Sequence, residues 1–513
     1  GKKESSYYGG FRIHPFAELD IEGYYSHFDQ NLGILLGSTF GNLDDLGRAI
    51  DADKPFFTRD TFSYNIDQPR QEAVHDLYKA KARYITNKQS LEVQYGYQKN
   101  KRKEFGLRRG DAPNINLELV TESIDIDWKH PDIGALSGKI GVQWQKQANE
   151  NIAGTNTVPF IPNYDSEEYG IYWIESLELD RNIFEFGVRY DNMEADITGR
   201  EPDNTIYRNT INYKNVTATL GYKHQIDENS SFRTNFGTAW RPPNVAELYR
   251  FGQHSFFLEY GLWRYVIDER FDFVSTSQGI QTEEDRPVPS EVGYKWINTY
   301  NISKDKFQLE ATAYINYIEN YIYSKPGGLT RTPRGFFVYF LYDQTEALFW
   351  GADLSSQFKH SPKFTSNLVG SYAWAKQFRP EDFFVGLPPA DLRYSLEYTP
   401  DWKFLDRSRF ALTTSYSDDT WMLKLLKGVE EFLNANRLDI KRFAEDASDF
   451  DVIAPPSGYL LTHFSWNAAW KQLHWQFKVQ NIFNVSYRNY TDRMRYFADD
   501  LGRNFTGTLA FRF

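Results

Sequence analysis

The residues best suited to binding chemistry lie in a long segment that follows two consecutive prolines, Pro242 and Pro243. Aromatic rings stack on planar ligands, and histidine and arginine side chains donate hydrogen bonds to polar ligand atoms. The set consists of His254, Phe256, Phe257, Tyr260, Trp263, Arg264 and Tyr265. Such a set could bind a planar or catecholate ligand, whereas a loop that packs its own aromatic rings for rigidity is the interpretation that we favour slightly over a ligand site.

No other set of residues has a spacing that indicates metal binding or catalysis. The nine histidines are scattered, none forms an i, i+4 pair, and no carboxylates are grouped as in a cation site. The sequence contains no Gly-x-Ser-x-Gly elbow, phosphate-binding loop or dinucleotide fingerprint. We expect no cofactor, no metal and no enzymatic activity. His254 as a ligand of haem iron stays open beside an exposed loop histidine.

Composition limits the kind of scaffold that could carry such a loop. The 513 residues have a net charge of −11 and include no cysteine, so neither a disulfide framework nor a nucleic-acid surface is expected. Aromatic residues make up 17% of a chain whose mean hydropathy is only −0.61. No apolar run reaches the roughly 20 residues of a membrane-spanning helix. A polar chain this rich in aromatic residues is typical of a membrane barrel with a wet interior and aromatic girdles.

Alternation of apolar and polar residues predicts β-strands along the whole chain. Each strand would then have one apolar and one polar face, because successive side chains of a strand point to opposite sides. The clearest alternating segments are 91–97, 140–144, 184–190, 309–315, 473–479 and 505–513.

Connection lengths indicate how these strands are arranged. We count about 18 strands, beginning with one at Phe16–Leu32, and short connections alternate with long ones. The long connections are expected near 33–71, 100–116, 147–167, 192–213, 241–290, 323–346, 376–390, 418–457 and 487–503. This asymmetry predicts an all-β fold, a transmembrane antiparallel β-barrel whose apolar rows face lipid. A soluble β-rich binding protein is the alternative.

The last strand carries aromatic residues at alternating positions, including Phe511 and Phe513. A barrel of this kind would close there, at the end that carries the short connections. We interpret the two residues as a signal for the barrel-assembly machinery; an ordinary edge strand is the alternative.

Two motifs resemble those of TonB-dependent outer-membrane transporters, particularly Bacteroidetes-type siderophore and haem receptors. The segment Val479–Phe513 is similar to the closing hairpin of that family. Its matching residues are Asn481, Ile482, Phe483 and Asn484, followed by Gly502, Arg503, Asn504 and Phe505. The segment AWRPPNVAELY (Ala239–Tyr249) is similar to the family's Arg-Pro-Pro box.

The Arg-Pro-Pro box has a physical role that is readable from the sequence. Proline cannot donate to a strand ladder, so Pro242 and Pro243 end the preceding strand. Arg241, Asn244 and Glu247 then brace the long loop or face the lumen. The Asn-Pro-Asn-Leu box of haem receptors, which the resemblance would place next, is absent.

The resemblance implies a larger protein than the sequence accounts for. Family barrels have 22 strands, four more than we count, and are preceded by a plug domain and a TonB box that have no counterpart here. We expect residues 1–513 to be the C-terminal barrel of such a transporter. The first ten residues lack the apolar stretch of a signal peptide, so the chain is expected to be mature or to begin within a longer protein.

The resemblance also implies a function, namely active transport across the bacterial outer membrane, energised through TonB. A ferric siderophore or haem is the expected ligand, with a corrinoid or a glycan as alternatives. A passive porin or a structural barrel remains a second class of function. The expected partners are outer-membrane lipid, the TonB complex through the plug, the barrel-assembly machinery and a surface lipoprotein.

Overall fold

The computed structural model of the chain describes residues 1–34, 48–49, 52–57, 65–106, 111–155, 157–254, 257–267, 273–275, 280–332, 335–379, 381–384, 386–418 and 456–512. Strands dominate these ranges, as the alternation predicts. Within them, no helix has the length and apolar character needed to cross a membrane.

The strands in chain order are β1 (Lys2–Phe16), β2 (Leu19–Gly33), β3 (Arg70–Ile85), β4 (Ser90–Phe105), β5 (Ile115–Lys129), β6 (Leu136–Asn151), β7 (Asn163–Leu179), β8 (Asn182–Arg200), β9 (Ile206–Asp227), β10 (Ser230–Arg241), β11 (Phe251–His254), β12 (Phe257–Tyr260), β13 (Tyr265–Ile267), β14 (Phe273–Ser275), β15 (Glu291–Ser303), β16 (Phe307–Thr332), β17 (Gly335–Lys359), β18 (Phe364–Phe378), β19 (Glu381–Phe383), β20 (Asp391–Tyr398), β21 (Arg407–Ser417), β22 (Tyr459–Trp470), β23 (Leu473–Gln480) and β24 (Asn504–Phe511). A short helix, α1 (Val245–Tyr249), lies between β10 and β11. A 3-10 helix of four residues spans Arg493–Tyr496.

One antiparallel sheet contains 22 of these strands. Three of them, β11, β12 and β19, are short additions, and the other nineteen form the wall by pairing with the previous and next wall strand. β10 pairs directly with β15, and β18 with β20, so the intervening loops leave the wall uninterrupted. β12 lies parallel to β17. Among the described residues, β1 pairs only with β2 and β24 only with β23.

The wall has one strand more than the 18 expected from the sequence. The strand predicted at Phe16–Leu32 is β2, and β1 precedes it across a two-residue turn. β1 was missed because a Gly9-Gly10 pair interrupts its alternation of polar residues with Tyr7, Phe11 and Ile13.

The two faces of the wall have opposite chemistry. On β8, Phe184, Val188 and Tyr190 are exposed on one face, each at more than 40% of its surface. On the other face the Arg189 guanidinium donates to Asp191 at 2.7 Å and to Gln143 on β6 at 2.5 Å. The apolar rows therefore face the surroundings, and the hydrogen-bonded polar rows face the interior. This confirms the predicted barrel and contradicts a soluble protein with a dry core.

Two segments predicted as long loops, 192–213 and 323–346, are extensions of strands instead. β8 and β9 continue to a five-residue turn at 201–205, and β16 pairs with β17 up to Thr332 and Gly335. β16 has 26 residues and β17 has 25, against the roughly ten that span a bilayer. These hairpins therefore project far beyond the wall at its long-loop end.

The polarity of the two faces inverts where the β8–β9 hairpin leaves the wall. Beyond Tyr190 the previously apolar face carries the exposed residues Glu194 and Asp196, and the previously polar face carries the buried residues Ala195 and Ile197. β9 inverts at the same height, which follows from the pairing of Asp191 with Asn215 and of Met193 with Tyr213. The inversion hid the extension, because a continuous apolar row was the signal used to recognise strands.

Candidate functional site

The site is built on the end of β10, where Arg241 joins three elements. Its guanidinium donates to the Glu247 carboxylate of α1 at 2.8 Å and to Glu291, the first residue of β15, at 2.9 Å. The other Glu291 oxygen accepts from the backbone N–H of Ile322 on β16 at 2.7 Å. Fork-shaped donors suit two carboxylates at once, so Arg241 fixes both ends of the 242–290 loop to the wall.

Asn244 is the N-cap residue of helix α1 and fixes where the helix begins. The Asn244 side chain accepts from the Ala246 N–H at 2.8 Å, and the Glu247 carboxylate accepts from the Asn244 N–H at 2.8 Å. This capping box satisfies N–H groups that a helix leaves without internal partners. Arg241, Asn244 and Glu247 thus lie together in a bracing arrangement at the loop, rather than apart on the lumen wall.

The loop folds back onto the formerly polar face of the extended β8–β9 hairpin and forms an apolar core there, here called the loop core. Val245 and Leu248 of α1, with Leu262, Trp263 and Val288, supply its loop side. Ala195, Ile197, Ile211 and Tyr213 supply its hairpin side, and all nine residues are buried. The apolar residues on this face of the β8–β9 hairpin therefore pack against the loop, which accounts for the inverted polarity.

Trp263 lies at the centre of the loop core with none of its surface exposed. Its indole N–H donates to the Arg286 carbonyl at 2.9 Å, and its ring meets that of Tyr249 edge-on at 5.2 Å. The N–H groups of Leu262 and Trp263 donate to carbonyls of α1. This close approach requires Gly261, since a Cβ there would collide with the Leu248 carbonyl.

Arg264 carries a charge into the same interior, with 1% of its side chain exposed. It pairs with Glu201 in the β8–β9 turn at 2.5 Å and donates to the Tyr249 carbonyl at 3.1 Å. The rings of Tyr207 and Phe251 lie 5.4 and 4.9 Å from the guanidinium carbon. Burying a charge is tolerated only with such partners, so Arg264 clamps the loop to the hairpin tip.

Tyr260 and Tyr265 pack towards the other projecting hairpin. Both are buried beside Tyr339 and Leu341 of β17, where β12 adds in parallel. The Tyr265 hydroxyl donates to the Tyr342 carbonyl at 2.7 Å, and the Arg286 guanidinium lies 4.8 Å from its ring. Burial raises the pKa of the Tyr265 phenol, which keeps the hydroxyl protonated as a donor.

The predicted binding residues are therefore divided by the fold. Tyr260, Trp263, Arg264 and Tyr265 are buried in the interior of the loop, where their rings and charge contact the protein itself. His254 ends β11 and Phe257 begins β12, on either side of the tip of that small hairpin. Phe256 lies outside the described residues. Ligand contact by His254, Phe256 and Phe257 stays a prediction.

Several residues in and around the loop core were not predicted from the sequence. Tyr213 donates to the Val288 carbonyl at 3.1 Å, Asn209 donates to the Tyr249 hydroxyl at 2.7 Å, and Glu201 balances Arg264. The available signal was the period-two row Met193, Ala195 and Ile197, in phase opposite to Phe184–Tyr190. Within the described part of the chain, no group of three or more histidine, aspartate and glutamate residues has the geometry of a metal site.

A second outer loop, between β18 and β20, also folds onto the wall. Phe384 stacks on Phe349 of β17 at 5.6 Å and meets Tyr321 and Tyr323 of β16 edge-on. The Gly386 N–H donates to the hydroxyl of Tyr490, in the loop between β23 and β24, at 3.2 Å. The long-loop end is thus a set of loops tied to one another and to the projecting strands.

The closing-hairpin motif builds the turn that follows β23. Asn481 and Asn484 have positive φ angles of 48° and 54°, which asparagine tolerates better than most residues. Asn481 is buried and exchanges two hydrogen bonds of 2.8 Å with the Val485 backbone. Asn484 accepts from the Arg503 N–H at 2.8 Å, beside Gly502, where a Cβ would lie 2.6 Å from its oxygen. The matched residues therefore have a structural role.

The two terminal aromatic residues have separate positions. Phe511 ends β24 on the apolar face with 58% of its surface exposed, opposite Leu473. Phe513 lies outside the described residues. A role of either residue in assembly stays a prediction.

Together the wall, its apolar outer rows, its polar interior and its folded outer loops define a large outer-membrane β-barrel. Residues 7–485 match the family described as TonB dependent receptor-like, beta-barrel. The chain belongs to this family. It is thus a TonB-dependent transport protein of the Gram-negative outer membrane, interacting with TonB, and not an enzyme, as the sequence predicted.

Solved structures share this fold at low identity. The copper transporter OprC matches with a TM-score of 0.70 at 10% identity, over 100% of this chain and 72% of that one. The siderophore receptor PirA from Acinetobacter baumannii matches with 0.70 at 11%, over 100% and 71%. The ferric yersiniabactin uptake receptor FyuA from Yersinia pestis matches with 0.67 at 12%, over 100% and 71%. At such identities the likeness establishes the fold alone.

Proposed function

We propose that this barrel imports iron as a ferric siderophore or as haem. Support comes from the family, and from relatives of the same fold that are named as receptors for ferric yersiniabactin and for siderophores. The copper transporter among them makes a metal complex the wider class. Corrinoid or glycan uptake is the alternative.

One observation carries the location of the proposed site. The β11–β12 hairpin lies in sequence between Leu248 and Leu262 of the loop core, and His254, Phe256 and Phe257 lie around its turn. Tyr260, Trp263, Arg264 and Tyr265 are buried beside it, which leaves the three residues of the turn as candidates for ligand contact. The tip residues therefore replace the buried ones as the proposed ligand contacts, and His254 is the residue that would favour haem.

The test is equilibrium binding to the purified chain, measured by quenching of tryptophan fluorescence. A panel of ferric catecholate, ferric hydroxamate, ferric citrate, haem, cobalamin and an oligosaccharide identifies the ligand class. The variant His254→Ala/Phe256→Ala/Phe257→Ala is expected to weaken binding of the best ligand about tenfold or more, since each stacking contact contributes roughly 0.5–1.5 kcal/mol. Phe404→Ala, on a short turn at the opposite end, is the control and should bind normally.

Two outcomes would contradict the proposal. Binding of cobalamin or the oligosaccharide in preference to every iron complex would show that the ligand is not an iron complex. Unchanged affinity of the triple variant for the best ligand would show that the tip of the β11–β12 hairpin is not the binding site.

Further partners are proposed on the sequence alone. We propose that a plug encoded outside this sequence reaches TonB, that the barrel-assembly machinery reads the terminal strand, and that a surface lipoprotein covers the outer loops. Sequence upstream of Gly1 tests the first of these, and affinity purification of the tagged chain with identification of co-purified lipoproteins tests the last.

A further inference from the structure

A trough interrupts the apolar, lipid-facing surface of the wall between β15 and β20. Its lining includes four residues with little or no side chain, namely Ala311, Ala313, Ala352 and Gly370. Ala313 pairs with Ala352, while Leu354 lies between Ala311 and Gly370, and Tyr372 lies beside Ala352 on the same face. Tyr300 stands at one end of the trough, and Leu392 and Tyr416 at the other. The trough is open to the surroundings and has a volume of about 700 Å³.

The trough lies between two rows of large apolar residues on the outer face of the wall. On the short-turn side it is bounded by the row of Phe307 and Phe358, and on the other side by the row of Ile315, Trp350 and Trp374. Phe307 and Ile315 are eight residues apart on β16, or about 26 Å along the strand, which is roughly 20 Å across the membrane at the usual strand tilt of about 35–45°. This height fits within the apolar band of about 25 Å of an outer-membrane barrel, so the trough faces bilayer chains.

The polar side chain of Asn298 lines this apolar trough. Asn298 of β15 pairs with Ala313 and lies on the same face as Trp296 and Tyr300, whose rings are exposed. The neighbouring Thr234 hydroxyl already accepts from the Trp296 indole at 2.8 Å. No hydrogen bond joins the Asn298 amide to another described residue. An amide in hydrocarbon without a partner costs free energy, so such residues mark binding sites in membranes.

The dimensions of the trough decide what fills it. Its floor is two residue rows wide, about 7 Å along the strands, whereas a transmembrane helix is roughly 10–12 Å across. A single hydrocarbon chain fits this width and a helix does not. We propose that the trough binds one acyl chain of an outer-membrane lipid, and that Asn298 selects a chain bearing a hydroxyl or amide group. This site is separate from the ligand site at the outer loops.

Native mass spectrometry of the 513-residue chain in detergent tests the proposal. Two probes are compared, a phosphatidylethanolamine with plain acyl chains and a phosphorylated disaccharide glycolipid with hydroxyacyl chains. The wild-type chain should retain the hydroxylated probe about fivefold better, which corresponds to one ordinary net hydrogen bond. Asn298→Leu should abolish this preference, and Ala313→Phe should abolish retention of both probes.

Ala218→Phe is the matched control, because Ala218 is an exposed alanine on the apolar face of β9, away from the trough. It should retain both probes as the wild type does. Heat-modifiable gel mobility shows that each variant is folded, and Ala352→Phe replaces Ala313→Phe if the latter does not fold. The proposal would be overturned if Ala313→Phe or Ala352→Phe retained the two lipid probes as well as the wild type does. An unchanged preference for the hydroxylated probe in Asn298→Leu would also overturn it.

Discussion

Arg264 shows how a residue chosen for ligand chemistry can belong to the scaffold. Its guanidinium has the donors to bind an anionic ligand, but its Nη1 donates to Glu201 and its Nε to the Tyr249 carbonyl, and two rings lie near its guanidinium carbon. Both members of the ion pair are almost fully buried. Removing one partner of such a pair is strongly destabilising, because the remaining partner is then a buried charge without compensation.

We therefore predict non-additive effects at this pair. Arg264→Met and Glu201→Met should each destabilise the closed loop by about 3–5 kcal/mol, whereas the double variant should lose clearly less than the sum. Hydrogen exchange of the peptide containing the Leu262 and Trp263 amides reports this, because both amides are bonded only while the loop core is closed.

An exposed ion pair provides the control for this cycle. Lys146 lies 3.9 Å from Glu167 on the wall, with about half of its side chain exposed. Lys146→Met should leave exchange in the loop unchanged, since such pairs contribute at most about 1 kcal/mol. Additive losses in the Arg264 and Glu201 variants would show that the two charges act independently.

At the level of elements, the projecting hairpins turn the outer loops into a packed layer. A strand that merely spans the bilayer needs no apolar residue on its polar face, yet β8 and β9 bury Ala195, Ile197 and Ile211 there. Loops held this way keep their shape without disulfides, which matches a chain that contains no cysteine.

The loop between β23 and β24 is held by charge instead, through Arg488 and Asp499. The Arg488 guanidinium donates to the Asp499 carboxylate at 2.7 Å, and the Ser486 hydroxyl donates to the same group. Arg488 also donates to the Arg495 carbonyl at 2.8 Å. The hydrogen bond from Arg488, with a smaller one from Ser486, lowers the pKa of Asp499 below its ordinary value of 3.8.

This shift predicts an acid-sensitive loop. A carboxylate with a lowered folded-state pKa stabilises the fold above its unfolded pKa, and that contribution is lost as the pH falls through the folded value. Proteolysis of the loop by an acid-tolerant protease should therefore increase below about pH 4 in the wild type. Asp499→Asn should already be susceptible at neutral pH and show a flatter profile. A wild-type profile identical to that of Asp499→Asn would show that the ion pair does not hold the loop.

At the level of the whole molecule, the chain exposes apolar rows that only lipid can cover. Leu220, Leu509 and Val216 each expose 60% or more of their surface on strands of the wall. The polar face is meanwhile crossed by hydrogen bonds between strands, such as Lys139 to Asp127 at 3.1 Å. Such a chain must reach the membrane before its apolar rows associate with other chains.

The terminal strand is the predicted signal for that delivery. Deleting Phe513, or replacing Phe511 by Ser, should reduce the outer-membrane level of the protein several-fold, because the aromatic pattern of β24 is lost. Heat-modifiable mobility in membrane fractions measures the folded amount. Thr506→Ser, on the polar face of the same strand, is the control. Normal levels of both aromatic variants would rule out a terminal signal.

Local sequence determined most of the wall and the brace. Alternation fixes which side chains share a face, so the strands around Phe184–Tyr190 and Leu309–Ile315 and the orientation of their apolar rows were predictable. The Arg-Pro-Pro box also sets its own geometry, since Pro242 and Pro243 end β10 and Asn244 begins α1 within three residues. In both cases the interacting groups are neighbours in sequence.

Only the tertiary structure decided which of the candidate binding residues are buried. Trp263, Arg264 and Tyr265 have the chemistry of a ligand site, and their composition cannot reveal that Ile197, Glu201 and Tyr339 cover them. Those partners lie more than 60 residues away, on two hairpins that project past the membrane. Burial depends on which distant surfaces meet, and a local pattern of side chains carries no information on that pairing.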